Sequence, residues 1–413
     1  MFVLKNPNYF YDILPYAYVL GVSKKWINKF ENIPMPLNDM GTFDFSNIDS
    51  LDNLADSVYV PSSSSSSSGS SGCGGGCSSC GGGCSSCGGG GWHLSERCNL
   101  KCLHCYQENH KCVELKYEEL LNILEQYKEL LKRLSCKGHI NLTGGEPLCF
   151  PYFFKILEEF RKDKDLYSFS ILTNGTLITD KIAKKISEYN PEYVQVSLEG
   201  GKKTNDYIRG KDVYKKVGNA IDNLKKYNIF VSISFTAIKI NYQEFPKVVK
   251  FAEKHKVDNV WSDRYIPLNE DSDVELKMSL EDTIKYLNIM ESERIRLKLK
   301  KSRVNVSMYR ALQFQMTNDY PYACTAGSSL LTVMENGDLV PCRRMPIVVG
   351  NLLANNMVSL YENSEILKKL REDTIPDDCR ACEYAKKCAG GLKCLTYALY
   401  KDLNHKDVGC SVK

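Results

Sequence analysis

Between Ser70 and Cys105 the chain reads SSGCGGGCSSCGGGCSSCGGGGWHLSERCNLKCLHC, and the spacing Cys-x3-Cys-x2-Cys occurs three times in it: Cys73/Cys77/Cys80, Cys80/Cys84/Cys87 and Cys98/Cys102/Cys105. Three thiolates so spaced can hold an iron–sulfur cluster and leave one iron without a protein ligand. The first two copies share Cys80 and lie in a Ser/Gly tract with nothing to preorganise them. The third follows the strand-like run WHLSE, and Leu100 and Leu103 between its thiols can pack and fix the loop. Cys98, Cys102 and Cys105 are therefore the expected cluster ligands. A zinc site is the alternative, with His104 or Cys112 as fourth ligand.

Cysteine usage also points to a compartment. The chain has 413 residues and 18 cysteines. Its N-terminus has one early Lys, an apolar run broken by Pro15 and no small-residue cleavage site, so it does not read as a secretory signal. That run is also too short to span a bilayer. Clustered cysteines without a signal suggest metal rather than disulfides, hence a reducing, cytoplasmic setting. A net charge of +4 gives no reason to expect nucleic acid or a membrane surface.

Four regions separate by composition. Residues 1–60 are ordinary, with one helical candidate at Ser23–Glu31 and no three-helix pattern that would suggest a leader-binding module. Residues 61–91 are almost purely Ser, Gly and Cys and cannot bury enough apolar surface to fold alone. From Trp92 to Pro267, strand-like runs (WHLSE, HINLTG, SFSILTNG, YVQVSLE, FVSISFTA, NVWSDRYIP) alternate with amphipathic segments. The latter are Tyr117–Leu134, Phe153–Lys162, Asp180–Tyr189, Val213–Tyr227 and Phe245–His255. The alternation predicts an α/β fold with a parallel sheet and outer helices, as an open sheet or a partial barrel, with chemistry at the strands' C-terminal ends. Asn269–Arg310 is charged and helical. Tyr320–Lys413 holds seven cysteines with little periodicity, as in a small fold organised by metal.

With GGEP at Gly144–Pro147, TNG at Thr173–Gly175 and VSLEG at Val196–Gly200, the CNLKCLHCY motif resembles the radical S-adenosylmethionine (SAM) superfamily. The resemblance implies a partial (β/α)6 TIM barrel over residues 92–315. It also implies a [4Fe–4S] cluster whose open iron binds the amino and carboxylate groups of SAM, and reductive cleavage of SAM to methionine and a 5'-deoxyadenosyl radical. Carried over by position, Gly144, Gly145, Glu146 and Pro147 approach SAM, with Glu146 accepting from its ammonium. Asn174, Ser197 and Glu199 reach its ribose or amino-acid part; relatives usually carry Asp where Glu199 stands. Arg209 and Arg264 are candidate partners of the SAM carboxylate. No residue is assigned to the substrate chemistry.

The C-terminal cysteines resemble the SPASM extension of peptide-modifying radical SAM enzymes, here residues 316–413. They run Cys324-x12-Gly337-x4-Cys342, then Cys379-x2-Cys382-x5-Cys388-x5-Cys394, then Cys410. Relatives usually have three residues where Cys388 and Cys394 are separated by five. The resemblance implies two auxiliary [4Fe–4S] clusters. Cys379, Cys382, Cys388 and Cys410 would hold one completely, and Cys324, Cys342 and Cys394 the other, with an iron open to a substrate thiolate or filled by another ligand. Two structural zinc sites are the alternative. Relatives that oxidise a Cys or Ser of sulfatases place Asp immediately after the second cysteine of this region; here that position is Arg343. No acid is thus expected for deprotonating such a substrate.

The tract at residues 61–91 reads as a substrate in cis, a metal-binding tail or a linker. A glycine Cα–H is unhindered, its radical is stabilised by the flanking amides, and cysteine sulfur could capture it as a thioether. Residues 1–56 resemble the end of a family of bacterial membrane proteins that finish in Ser/Gly-rich tails. The expected function is a radical SAM peptide maturase forming Cys thioether crosslinks on a peptide in cis or trans. It would be supplied with electrons by an external donor such as flavodoxin or ferredoxin. Alternatives are another radical peptide modification (C–C crosslinking, epimerisation, dehydrogenation) or a non-catalytic iron–sulfur electron carrier.

Overall fold

A computed structural model of the chain describes residues 88–105, 114–267, 275–308, 310–317, 324–372 and 375–412. The helical candidate at Ser23–Glu31, the five cysteines of the tract and Cys112 lie outside these residues.

The six expected strands are present, as β1 (Gly88–His93), β2 (Gly138–Thr143), β3 (Tyr167–Thr173), β4 (Val194–Ser197), β5 (Val231–Ala237) and β6 (Asn259–Arg264). They pair in parallel in chain order, β1 to β6. The crossover segments include helices α1 (Tyr117–Arg133), α2 (Phe153–Lys162), α3 (Asp180–Ser187), α4 (Lys202–Arg209), α5 (Val213–Lys226) and α6 (Phe245–Lys254). α4 was not expected. Of its eight residues only Ile208 is both apolar and buried, too few for an apolar repeat to mark a helix in the sequence. α7 (Leu280–Leu299) starts at a capping box in which Ser279 and Asp282 satisfy each other's backbone N–H groups. It leads to β7 (Asn305–Ser307), which extends the sheet beyond β6.

The first strand differs from expectation. It begins at Gly88, so Gly88–Gly91 belong to the sheet rather than to the Ser/Gly/Cys tract in which the composition placed them. Four glycines carry no hydrophobic pattern, and the strand is specified by its neighbours, pairing in parallel with β2 on one side and β8 (Leu330–Val333) on the other. β8 opens a hairpin with β9 (Asp338–Val340), and β10 (Gly350–Asn351) follows antiparallel. These strands have four, three and two residues, too few for a period to show. The C-terminal region thus continues the barrel sheet to ten strands. It also contains α8 (Met357–Asn363), α9 (Glu365–Arg371) and α10 (Lys393–Tyr400).

β2 is buried along its whole length, as expected for a parallel strand covered on both faces. Buried polar groups from different strands and their ends meet one another: Tyr193 donates to Asn141 at 2.8 Å, Trp261 to Gln195 at 2.5 Å and Asn259 to Ser232 at 3.1 Å. Their satisfied hydrogen bonds remove most of the burial cost. No helix among the described residues is long and apolar enough to cross a membrane.

Candidate functional site

The loop after β1 carries Cys98, Cys102 and Cys105, and the turn after β2 fixes it. Gly145 N–H donates to Ser95 O and Glu146 N–H to Arg97 O, both at 2.7 Å. A Cβ on Gly145 would overlap the carbonyl oxygens of Arg97 and Glu96, and one on Gly144, at φ +139°, the carbonyl of Ser95. Both glycines are thus required by the close approach of the cysteine loop, a reason that sequence alone does not give. From the other side, Leu103 N–H donates to Ile208 O of α4 at 2.8 Å.

All three thiols line one cavity of about 440 Å³ at the C-terminal ends of the strands. Gly144, Gly145, Asn174, Ser197, Arg209 and Arg264 line it as well. Asn174 Nδ2 lies 3.8 Å from Cys98 Sγ, and Arg209 Nη1 lies 3.7 Å from Cys102 Sγ. Burial pushes the Cys98 and Cys102 thiols up, and each is raised further by the neighbouring thiols of the set. A bound metal would reverse this by deprotonating them.

Three expected SAM contacts, Glu146, Glu199 and Arg264, are turned to other partners, and a fourth, Pro147, is buried. The Glu146 carboxylate is fully buried and accepts from Thr173 Oγ1 and Asn174 N, both at 2.7 Å, and from Leu148 N at 3.2 Å. It holds the TNG turn in place and does not line the cavity. Pro147 starts the short helical turn after it and is buried. Glu199 is buried, taking Arg209 Nη2 at 2.6 Å, Thr236 N at 2.8 Å and His104 Nε2 at 3.4 Å. Burial pushes this carboxyl up, but Arg209 and then His104 outweigh it and hold it at about 2. His104 thus faces Glu199. Arg264 is committed to Asp407, with Nη1–Oδ1 and Nη2–Oδ2 distances of 2.6 and 2.5 Å.

The C-terminal thiols form two further groups. Cys324, Cys342 and Cys394 line a small cavity that shares Thr143, Leu172, Arg343 and Arg344 with the large one. Cys379, Cys382, Cys388 and Cys410 line another. The longer Cys388–Cys394 spacing is absorbed by a left-handed run at Ala389, Gly390 and Gly391, with φ of 48°, 84° and 85°, before α10. All the described cysteines are free thiols. Among the described residues no three His, Cys, Asp or Glu converge as for a single metal ion. A set of three thiols suits a cluster with one iron left open, and a set of four suits a closed one.

Three carboxylates without a sequence motif complete the surroundings. Asp407 also accepts from Leu392 N at 3.1 Å and Gly409 N at 2.9 Å, beside Cys410. Asp263 accepts from Arg310 at 2.9 Å and Arg344 at 3.1 Å. Burial pushes its carboxyl up, and Arg310, Arg344 and Arg264 together bring it below its ordinary value. Glu335, in the β8–β9 turn, lines the large cavity, so an acid is present there although Arg343 occupies the expected position. Of the remaining thiols, Cys136 packs against the core and Cys149 lies near Cys98 and Glu146, neither lining the large cavity.

Residues 92–252 match the radical SAM superfamily model, and residues 324–383 match that of SPASM, an iron–sulfur cluster-binding domain. The AdoMet-dependent heme synthase of Methanosarcina barkeri (strain Fusaro / DSM 804) is 26% identical over 347 residues, 77% of this chain and 95% of that protein. The cysteine-type anaerobic sulfatase-maturating enzyme of Clostridium perfringens (strain 13 / Type A) is 26% identical over 329 residues, 72% and 86% of the two chains. In fold the chain is similar to Streptococcus suis SuiB bound to precursor peptide SuiA, with TM-score 0.64, 18% identity and 78% and 76% of the two chains covered. It is similar also to native anSMEcpe with bound AdoMet, at TM-score 0.66, 21% identity and 78% and 93% covered. The chain carries a radical SAM domain and, C-terminal to it, a SPASM domain whose strands continue the same sheet.

Proposed function

We propose that this radical SAM enzyme is a peptide maturase that forms Cys thioether crosslinks, its own Cys/Gly-rich tract at residues 61–91 being one substrate. The observation that carries the reading is the cavity of about 440 Å³ bounded both by the three-thiol loop and by SPASM residues such as Glu335 and Arg343. SuiB, of similar fold, is bound to its precursor peptide.

As a radical SAM protein with a SPASM domain the chain uses SAM and [4Fe–4S] clusters. Cys98, Cys102 and Cys105 hold the one that binds SAM. Cys379, Cys382, Cys388 and Cys410 hold a closed auxiliary cluster, and Cys324, Cys342 and Cys394 one that lacks a cysteine ligand. When bound and reduced, the first cluster supplies the electron that cleaves SAM to a 5'-deoxyadenosyl radical. The protein's part is to place and charge the ligands. Arg209, held by Glu199, offers its Nη1 to Cys102 and faces the cavity where a carboxylate of SAM would lie. Asn174, fixed by Glu146, does the same beside Cys98. Gly144, Gly145 and Ser197 give wall without bulk. Arg264 serves as an anchor to Asp407. Electrons come from an external flavodoxin or ferredoxin, and the setting is cytoplasmic.

Each crosslink replaces one carbon-bound and one sulfur-bound hydrogen, so it lightens the peptide by two hydrogens. After anaerobic turnover with SAM and dithionite, mass analysis of the peptide spanning residues 61–92 should show losses in that step. An unchanged tract alongside released 5'-deoxyadenosine contradicts the reading. The similarity to heme synthase over 95% of its length favours a second reading, action on a tetrapyrrole. It predicts deoxyadenosine release that depends on an added iron porphyrin and leaves the tract unchanged.

A further inference from the structure

Glu335 is a largely buried acid that lines the large cavity and has one oxygen without a hydrogen-bond partner. It stands in the turn between β8 and β9, where Met334 N–H donates to Asp338 O at 2.8 Å and Gly337 N–H to Met334 O at 2.9 Å. The turn fixes the side chain's origin, and only 10% of the side chain is exposed. Oε2 is buried and has no hydrogen-bond partner. The nearest ring nitrogen, His93 Nδ1, lies 3.9 Å away, beyond hydrogen-bond range. Burial, and then Arg343, hold His93 down at about 3, so that ring is neutral at physiological pH and provides no counter-charge. A buried carboxylate oxygen without a donor is costly, and such groups in clefts are sites where a ligand supplies the missing proton.

We propose that Glu335 accepts the proton of the substrate group that becomes bonded to carbon, the cysteine S–H in the thioether reading. This rests on that reading and deepens it. The S–H bond breaks, the electron pair stays on sulfur, and the proton moves to the Glu335 carboxylate; no electron is exchanged in the step.

The charges around Glu335 suit that role. Burial pushes its carboxyl above the ordinary value, its own backbone N–H opposes this, and Glu96 and Asp338 add to the rise. The groups facing it are His93 on β1, Glu96 on the cysteine loop and Asp338 on β9, with Arg343 beside His93 and donating to Thr143 at 3.2 Å. A carboxyl so raised is a better match to a thiol than an ordinary surface Glu.

The test compares wild type, Glu335→Gln and Glu335→Asp as reconstituted full-length chains, reading two-hydrogen losses in the tract per 5'-deoxyadenosine released across pH 5–9. That ratio should fall roughly 10²-fold in the Gln variant, a usual size for loss of a general base, and recover in part with Asp. In wild type the ratio should rise with pH through the carboxyl's ionisation; in the Gln variant that limb should vanish. An unchanged ratio and pH profile in the Gln variant overturns the proton role and leaves the substrate reading standing. So does equal loss of deoxyadenosine and product in both variants, which marks a structural role. If wild type leaves the tract unaltered, the substrate reading fails and the proton role falls with it.

Discussion

Arg264, at the end of the sixth barrel strand, lies fork to fork on Asp407, which comes from the loop that carries Cys410, at 2.6 and 2.5 Å. Both side chains are buried. The pair ties the barrel to the segment holding the four-thiol set, and Cys410 N–H donates to Asp407 O at 2.9 Å. Asp407→Ala leaves a guanidinium buried without its partner, a change that usually costs about 3–5 kcal/mol. Chemical denaturation under anaerobic conditions should show a loss of that order, and iron analysis a deficit near one cluster. Stability within about 0.5 kcal/mol of wild type would show that the pair does not hold the domains together.

Glu199 gives a pH prediction with a definite sign. Its folded-state carboxyl lies at about 2 against an ordinary 4.5. A depressed pKa contributes stability that is fully present above the ordinary value and is lost as pH falls toward 2. The stability difference between wild type and Glu199→Gln should therefore be constant from neutral pH to about 4.5 and shrink below it. A difference that changes between pH 7 and 5 would place the linked proton on another group.

Gly145→Ala tests the packing of the cysteine loop. Its Cβ would meet the backbone oxygens of Glu96 and Arg97, which cannot rotate away. The loop must shift, at a cost of about 1–3 kcal/mol. Reconstituted protein should lack roughly one cluster's worth of iron while keeping that of the SPASM thiols. Full iron loading with normal SAM cleavage would mean that the approach is not critical.

The direction of β1 limits self-modification. Gly88 begins the strand and the cavity lies at its far end, roughly 17 Å on at a rise of about 3.3 Å per residue. Cys84 is four residues before Gly88 and can reach no further than about 14 Å from it. Within one chain, crosslinks should therefore involve Cys73, Cys77 or Cys80, and leave Cys84 and Cys87 free. Modification of Cys84 or Cys87 that stays independent of protein concentration would contradict this, because it could not come from a second copy.

Much of this was legible before any coordinates. The cysteine loop and the six strands follow from spacing and alternation, signals that repeat along the chain, and the two C-terminal thiol sets are those the resemblance to the SPASM extension implies. What escaped had no local signal. Gly88–Gly91 form a strand because β2 and β8 supply the pairing, while their own side chains say nothing. Asp407 gains its meaning from Arg264, 143 positions earlier, and Glu335 from a cavity that closes only when the hairpin joins β1. Glu146 was expected at the ligand because its motif is near it, yet three donors from Leu148, Thr173 and Asn174 claim its carboxylate. Proximity in a motif locates a site without saying which way a side chain points.

Low-temperature EPR of dithionite-reduced protein, with and without SAM, addresses the three-thiol site most directly. SAM should alter the spectrum of wild type and of the Cys379→Ala and Cys324→Ala variants. The change should be absent in Cys98→Ala, Cys102→Ala and Cys105→Ala. A SAM effect that survives loss of those three, or that disappears with Cys324 or Cys379 instead, would contradict the assignment.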